Sequence, residues 1–511
     1  DFIKETINDF YRDKLNLISL KEALTNIHFP SDFEILEKAK RRVKFEEFLY
    51  LVTALYIVKS KIKKGKKMHR YIIKRNLLTP WKNKLGFEFT DDQKRAIKEI
   101  FNDLLSPYPM NRLIQGEVGS GKTVVALSGM LLAVENNYQS ALLAPTEILA
   151  EQHYLNIKRM LEGLPINVSL LKGAIPMKEK NKIYKELENG EIDIIIGTHA
   201  LLEEKVKFKY LSLVVIDEQH RFGVIQRSKL HQKGRNVDVL VMSATPIPRT
   251  LALSLWGDLD VSEIKELPKG RKKIKTYYMR EEEAYRFLRK ELEKGNQGFI
   301  VYPLIEESKK MELKSVMKQA EYLKKEIFPD FRCAILHGKL PPNEKEKIMI
   351  DFSRNLYDIL ISTTVIEVGI DVPNATVIII EDAPRYGLSQ LHQLRGRVGR
   401  GDKESYCILV GEPKNEEARR RIEILLRTTS GFEIAEEDLK LRGPGEYLGI
   451  KQHGITKFHI ASLVNDTDIL KEVRDFVFKE LGEKIYSEEF YNLRKEVYRI
   501  YKGKFHLGRV S

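Results

Sequence analysis

The stretch Gly116-Glu117-Val118-Gly119-Ser120-Gly121-Lys122-Thr123 constrains this chain more than any other. It fits G-x-x-x-x-G-K-S/T, the pattern of a phosphate-binding loop. Arg112 to Gln115 before it is a short, partly apolar run that can end a strand. Thr123 to Val134 after it is Ala/Leu/Val-rich and free of Pro, so it can be the following helix. A triphosphate needs backbone N–H groups aimed at it from close range, and only glycines leave that room. The helix start adds the positive end of a dipole. Lys122 is then expected on the β- and γ-phosphates of a nucleoside triphosphate and the Thr123 hydroxyl on Mg²⁺. The competing interpretation is a chance glycine-rich turn, which would not need the flanking strand and helix.

At 511 residues and 42% hydrophobic content the chain exceeds a single core, so several domains are expected. No apolar run reaches the length of a membrane span, so no membrane is expected among the partners. In Phe48 to Val58, the greasiest stretch, Thr53 interrupts and lysines follow at once. The start carries no secretory signal pattern. Cys333 and Cys407 lie far apart, with no partners at metal spacing. Neither a disulfide framework nor a zinc site is supported, which fits a reducing cytoplasm. A net charge of +14 suits a nucleic-acid partner and equally a general bias toward Lys. Because the sequence begins with Asp1 rather than Met, the expectation is a fragment or processed product.

Along the chain, residues 1–83 read as mostly helical. Asp32 can cap a long amphipathic helix with Ile35, Leu36, Ala39, Val43 and Phe45 on its apolar side. The basic run from Lys59 to Lys67 is a solvated helix face or, alternatively, a phosphate-contacting patch. Thr90 caps a helix over Asp91 to Leu105, and Gln93 just inside it could read an adenine edge with its amide. Beyond the loop, strands are expected at Ser140 to Ala144, Asp193 to Ile196, Leu211 to Ile216 and Val239 to Met242. Short apolar strands separated by helices imply a parallel sheet covered on both faces, with ligands at the carboxyl ends of its strands. One such end delivers Asp217-Glu218 beside the loop. Asp217 would hold the Mg²⁺ shell and Glu218 would polarise the attacking water. Taken alone, the pair could be an exposed acidic turn.

Leu267-Pro268-Lys269-Gly270-Arg271 reads as a linker. A second alternating series follows, with strands at Gly298 to Tyr302, Phe331 to Leu336, Asp358 to Ser362 and Thr376 to Ile380, and helices at Lys314 to Ile327 and Glu344 to Phe352. It has no phosphate loop. It does supply Arg395, Arg397 and Arg400 on a glycine-punctuated segment, which suits charge stabilisation in phosphoryl transfer; a basic surface loop is the alternative. The tail is helical again, with a segment from Thr428 to Leu439 that cannot continue through Gly443-Pro444-Gly445.

The first sheet, with its phosphate loop, Asp217-Glu218-Gln219-His220 and Ser243-Ala244-Thr245, and the second, with Gln393 to Arg400, resemble the two motor domains of superfamily 2 helicases. Narrower strings resemble the RecG-type ATP-dependent DNA helicases: Ala244 to Leu253, Gly257-Asp258-Leu259-Asp260, Ser362 to Ala375, and Asp438 to Glu446. The translocase module of the bacterial transcription-repair coupling factor shares the Pro246-Ile247-Pro248-Arg249-Thr250 string, but the Asp217-Glu218-Gln219-His220 wording is nearer RecG.

The resemblance implies an α/β chain with two RecA-like parallel-sheet domains in tandem, flanked by helical segments. The expected divisions are a helical linker region at 1–83, an ATP-binding domain at 84–268, a second RecA-like domain at 269–414, and a translocation hairpin with a helical region at 415–511. An oligonucleotide-binding wedge domain is expected upstream, outside this sequence.

By resemblance, Gln93 contacts adenine, and Gly369 and Asp371 line the nucleotide cleft from the second domain. Arg397 and Arg400 act as arginine fingers. Ser243, Thr245, Arg442 and Gln452 couple nucleotide to movement, while His453 is given no role. Thr146, Thr198, His337, Thr363 and Thr364 contact the DNA backbone, where small hydroxyls and amides suit sequence-blind contacts. The implied activity is ATP-dependent translocation on double-stranded DNA, reversing stalled forks and migrating Holliday junctions. The implied partners are branched and duplex DNA, with the chain a monomer in the bacterial cytoplasm at the nucleoid and single-strand-binding protein a further partner. An RNA-directed helicase and a non-catalytic DNA-binding scaffold remain the alternatives.

Overall fold

The computed structural model describes residues 3–62, 66–173, 175–217, 237–244, 259–268, 272–303, 309–363, 372–442, 458–463 and 465–501. The chain opens with three helices, α1 (Asp9–Lys14), α2 (Leu20–His28) and α3 (Phe33–Ile62). Asp32 starts α3 as its sequence suggests: its Oδ1 accepts the Ile35 N–H at 2.8 Å. Phe45, Phe48, Leu49 and Val52 of α3 pack with Phe476, Val477, Leu493 and Val497 from the other end of the chain, so the two termini share one apolar core. Burial in that core, rather than a membrane, accounts for the greasy stretch of α3. Among the described residues no helix is long and apolar enough to cross a membrane.

A short α4 (Leu78–Lys84) leads to α5 (Asp91–Leu105). Thr90 and Gln93 form a reciprocal capping box at its start, satisfying two of the orphan N–H groups of a helix terminus. The first sheet then builds from β1 (Asn111–Gly116), α6 (Lys122–Glu135), β2 (Gln139–Leu143), α7 (Glu147–Met160), β3 (Val168–Leu171), α8 (Met177–Asn189), β4 (Ile194–Gly197), β5 (Leu211–Asp217), β6 (Asp238–Ser243) and β7 (Asp260–Ile264). Its strand order is β3-β4-β2-β5-β6-β1-β7, every pair parallel. Successive residues fall on opposite faces. Ile114, Leu142 and Val215 enter one core, and Leu113, Ala141 and Val214 the other. That double burial explains why these strands read as unbroken apolar runs.

The second sheet comprises β8 (Lys275–Tyr278), α9 (Glu281–Glu293), β9 (Gln297–Tyr302), α10 (Lys309–Tyr322), β10 (Cys333–Leu336), α11 (Pro342–Ser353), β11 (Ile359–Thr363), β12 (Ala375–Ile380), α12 (Leu388–Arg395) and β13 (Tyr406–Leu409). Its order is β10-β11-β9-β12-β13-β8, again all parallel. The helix expected over Lys314 to Ile327 starts earlier and finishes in wider π turns from Leu323 to Ile327. After the second sheet, α13 (Glu416–Arg427) and α14 (Gly431–Arg442) lay Ile422, Leu425 and Ile434 on its core. Helices α15 (Thr467–Asp475) and α16 (Tyr491–Tyr501) return to α3.

The basic run that begins in the last turn of α3 is partly internal. Lys59 pairs with Asp260 at 2.8 Å, and Lys67 is buried against Asp238. Asp238 has no exposure. It also accepts from His69 Nε2 (2.9 Å), Tyr71 Oη (2.9 Å) and Met110 N (2.6 Å). This carboxylate pins residues 67–71 to the amino end of β6. Both cysteines are buried thiols, pushed by burial up to about 11 for Cys333 and about 12 for Cys407. No cluster of metal-ligating side chains occurs among the described residues.

Candidate nucleotide site

Strand register gathers the polar motifs on one edge of the first sheet. Gln115, next to the phosphate loop, is paired with Ser243, and Met242 with Asp217. Asp217 therefore stands two strands from the loop, about 10 Å at ordinary strand spacing. The loop turns through left-handed backbone at Gly119 (φ +79°) and Gly121 (φ +85°), where a side chain would be strained. A Cβ on Gly121 would also collide with the Gln93 amide. Gly121 is the N-cap of α6, so the start of that helix faces the loop.

The loop is held from inside. Lys122 is nearly buried, and its Nζ donates to the Gly116 and Glu117 carbonyls at 2.8 Å each. The Gln93 Nε2 donates to the Ser120 carbonyl at 2.8 Å, while its Oε1 accepts from Thr90 N at 3.0 Å. Gln93 is 1% exposed. Both ends of its amide thus serve the capping box and the loop in this arrangement.

The Asp217 carboxylate accepts from His153 Nε2 at 2.7 Å. A carboxylate only accepts, so the proton of that bond sits on Nε2. His153 belongs to α7, which Thr146 caps by accepting the Leu149 N–H at 3.4 Å. Sequence reasoning missed His153: positions 149, 152, 153 and 156 share one face of a helix, but nothing local says that this face meets Asp217. Leu149, Gln152, His153 and Asn156 all line the cleft beside the loop.

From the second sheet, Arg397 and Arg400 line that same cleft of about 770 Å³, opposite Lys122, Thr123 and Asp217. A Cβ on Gly396 would lie only 3.6 Å from Val118 of the phosphate loop. The arginine segment is braced by Arg395, which is 2% exposed. Its Nη1 donates to the carbonyls of Leu425 (3.0 Å) and Thr428 (2.9 Å). Its Nη2 donates to the carbonyl of Thr429 (3.0 Å) and to His392 Nδ1 (3.0 Å). Burial, and next the Arg395 charge, push His392 down to about 3, so it stays a neutral acceptor. Lys265, also lining the cleft, lies 5.3 Å from the centroid of the Phe432 ring.

Of the residues expected on the nucleic acid, Thr146 stays partly exposed at the start of α7. Thr198 and Thr363 close β4 and β11 but are each 1% exposed. Their hydroxyls find no hydrogen-bond partner among the described residues, and neither does His337 Nδ1. Burial, then Lys345 and Lys339, lower the His337 pKa. Ser243 is buried at the end of β6. Glu218, Thr245, Thr364, Gly369, Asp371 and Gln452 lie outside the described residues, as does the Arg442 side chain.

The chain matches three family descriptions in succession. These are DEAD/DEAH box helicase over residues 90–253, Helicase conserved C-terminal domain over 283–402, and ATP-dependent DNA helicase RecG, domain 3, C-terminal, over 428–497. It is 50% identical to the ATP-dependent DNA helicase RecG of Thermotoga maritima over 481 residues, 93% of this chain and 61% of that one. It is 46% identical to the Streptococcus pneumoniae protein of the same name over 475 residues, 92% of this chain and 70% of that one. Among solved structures it resembles one of RecG bound to a three-way DNA junction, with TM-score 0.75 and 47% identity, covering 92% of this chain and 62% of that one. Mycobacterium smegmatis helicase Lhr, at TM-score 0.51 and 19% identity over 71% of this chain and 50% of that one, shares the fold alone. The chain spans only 61%, 56% and 66% of the first three curated relatives. Its two sheets are RecA-like, as the neighbour at 47% identity indicates.

Proposed function

The chain belongs to the RecG family of ATP-dependent DNA helicases, and from that premise we propose that it is an ATP-driven translocase on double-stranded DNA that remodels branched DNA. The observation that carries this reading is the single cleft bearing Lys122, Thr123 and Asp217 on one wall and Arg397 and Arg400 on the other. Such a site is completed by closing two sheets on a nucleotide, and closure is the motion a translocase needs.

The donor set suits ATP with Mg²⁺. Left-handed glycines and a helix start form an anion cradle. The Thr123 hydroxyl and the Asp217 carboxylate are hard oxygen donors of the kind Mg²⁺ takes. When bound, the metal supplies charge neutralisation at the β- and γ-phosphates. Lys122 then leaves the carbonyls of Gly116 and Glu117 for phosphate oxygens. The water-polarising role falls to Glu218. Arg397 and Arg400 neutralise charge that develops on the transferred group, and Gly369 and Asp371 complete the second wall. In this reading Gln93 reads adenine after releasing its present partners.

Ser243 and Thr245 relay the state of the phosphates to the sheets. The segment after the second sheet, with Arg442 and Gln452, turns closure into a step. Thr146, Thr198, His337, Thr363 and Thr364 take DNA phosphates, the buried hydroxyls of Thr198 and Thr363 becoming accessible when the sheets move. Residues 84–268 and 269–414 are the two motor domains, with 1–83 and 415–511 as their helical flanks. A structural relative is described as bound to a three-way DNA junction, which supports forks and Holliday junctions as substrates, with repair and recombination as the setting. The same reading places a monomer in the bacterial cytoplasm at the nucleoid, with single-strand-binding protein a further partner. Steady-state ATP turnover with forked DNA tests it. Stimulation that falls as salt rises is expected, and a rate unmoved by duplex or forked DNA would contradict it.

A further inference from the structure

A phosphate loop ordinarily meets its nucleotide through backbone groups, which leaves the Glu117 side chain without a role in the cradle. Here its Oε1 accepts the N–H of Gly431 at 2.7 Å, across 314 residues of chain. Gly431 is the first residue of α14. Its N–H is one of the donors that a helix start leaves without an intrahelical partner, and a carboxylate there also meets the favourable end of the helix dipole. The Ser430 hydroxyl accepts the Glu433 N–H at 3.4 Å, so Glu117 supplies the shorter of these two caps. The turn that presents Gly431 is fixed by Arg395, which holds the carbonyls of Leu425, Thr428 and Thr429.

The same residue answers to the nucleotide site at its backbone. The Glu117 carbonyl accepts from Lys122 Nζ at 2.8 Å. A triphosphate in the cradle would act on Glu117 twice. It would draw Lys122 off that carbonyl, and it would set a polyanion close to the carboxylate, where like charges repel.

We propose that Glu117 is a positioning residue that ties α14 to the nucleotide-free phosphate loop and lets go when the site fills. The link deepens the motor reading and rests on it: it connects the loop of the first sheet directly to α14, the second of the helices after the second sheet. It needs no transmission through the body of either sheet.

Amide hydrogen exchange across residues 428–435 tests this, with and without the non-hydrolysable analogue AMP-PNP and Mg²⁺. Binding of a fluorescent form of the analogue is followed in parallel. In the unsubstituted chain the analogue should speed exchange at Gly431 to Ile434 about fivefold, the loss expected for one capping bond. Glu117→Ala should show that faster exchange without nucleotide, and the analogue should add nothing. Glu117→Gln keeps an acceptor but no charge, so its nucleotide-free exchange should stay near that of the unsubstituted chain and its response to the analogue should shrink. Unaltered exchange in β2 and β5 of the first sheet and in β9 and β12 of the second establishes that each variant is folded. Binding of the analogue without any change at 428–435, or slow exchange there in nucleotide-free Glu117→Ala, would overturn the link while leaving the nucleotide site standing. Failure of the analogue to bind the unsubstituted chain would overturn both.

Discussion

The contact between His153 and Asp217 yields the most demanding prediction. Replacing His153 with Ala removes the donor that meets the Asp217 carboxylate at 2.7 Å. The side chains of the pair are 12% and 14% exposed on the wall of the cleft, so water can offset part, but not all, of the loss. A hydrogen bond to a charged group is worth about 1.5–3 kcal/mol, which at about 1.4 kcal/mol per decade corresponds to roughly 10- to 150-fold. Loss of an outer partner of a metal-ligating group typically costs about 10- to 100-fold in metal affinity, so the two routes agree. Two readouts are needed. ATP turnover titrated with Mg²⁺ should show a half-saturating concentration raised about tenfold or more, with much of kcat recovered at high Mg²⁺. Direct binding of Mn²⁺ in the presence of AMP-PNP, followed by paramagnetic resonance, should weaken in parallel. His153→Gln, whose amide can reach the carboxylate, should recover part of the loss. If His153→Ala titrates like the unsubstituted chain in both assays, His153 does not orient Asp217.

Other outcomes follow from the same geometry. Gly121→Ala places a side chain at φ +85° and against Gln93, so AMP-PNP binding should fall by at least tenfold, a loss of about 1.4 kcal/mol, while the sheets stay folded. Arg397→Ala and Arg400→Ala should each lower kcat about a thousandfold or more with little change in nucleotide binding, measured by single-turnover kinetics. Burial raises Glu381 from the ordinary 4.5 to about 7, so between those values the folded chain keeps a proton that the unfolded chain has released. Stability should therefore decline as pH rises from 4.5 to 7, and Glu381→Gln should flatten that decline in thermal unfolding scans. Asp238→Ala strands the buried Lys67 cation at a cost of about 3–5 kcal/mol, read as loss of hydrogen-exchange protection in residues 66–72.

Much of this architecture is legible because a strand buried on both faces leaves an unbroken apolar run. Leu142, Ile195, Val215 and Leu240 all sit in such runs. Two of the strands that escape notice lack that pattern. β8 lies on a sheet edge with Tyr278 exposed, and β7, at an edge of the first sheet, carries Asp260, Ser262 and Glu263. β3, a four-residue edge strand broken by Ser169, is missed as well. β13 does show an apolar run, buried on both faces, and is overlooked all the same. In the site, Lys122, Thr123 and Asp217 belong to local motifs that spacing singles out, whereas Arg397 and Arg400 are set apart from Arg395 only by the family resemblance. His153 meets Asp217 across 64 residues and Glu117 meets Gly431 across 314. Those pairings depend on sheet order and on how the two halves meet, which no local pattern carries. Gln93 carries two readings at once. Its spacing from Thr90 is that of a capping box as much as of a base reader, and the capping contacts are the ones present in this arrangement.

Whether Lys122 and its cleft hydrolyse ATP to drive movement on DNA is tested most directly by ATP turnover of the chain and of Lys122→Ala. Each is assayed without nucleic acid and with duplex and forked DNA, at two salt concentrations. Turnover that DNA raises and salt suppresses is expected, with loss of both basal and DNA-stimulated turnover in Lys122→Ala. Normal DNA-stimulated turnover in Lys122→Ala would contradict a motor built on this cleft.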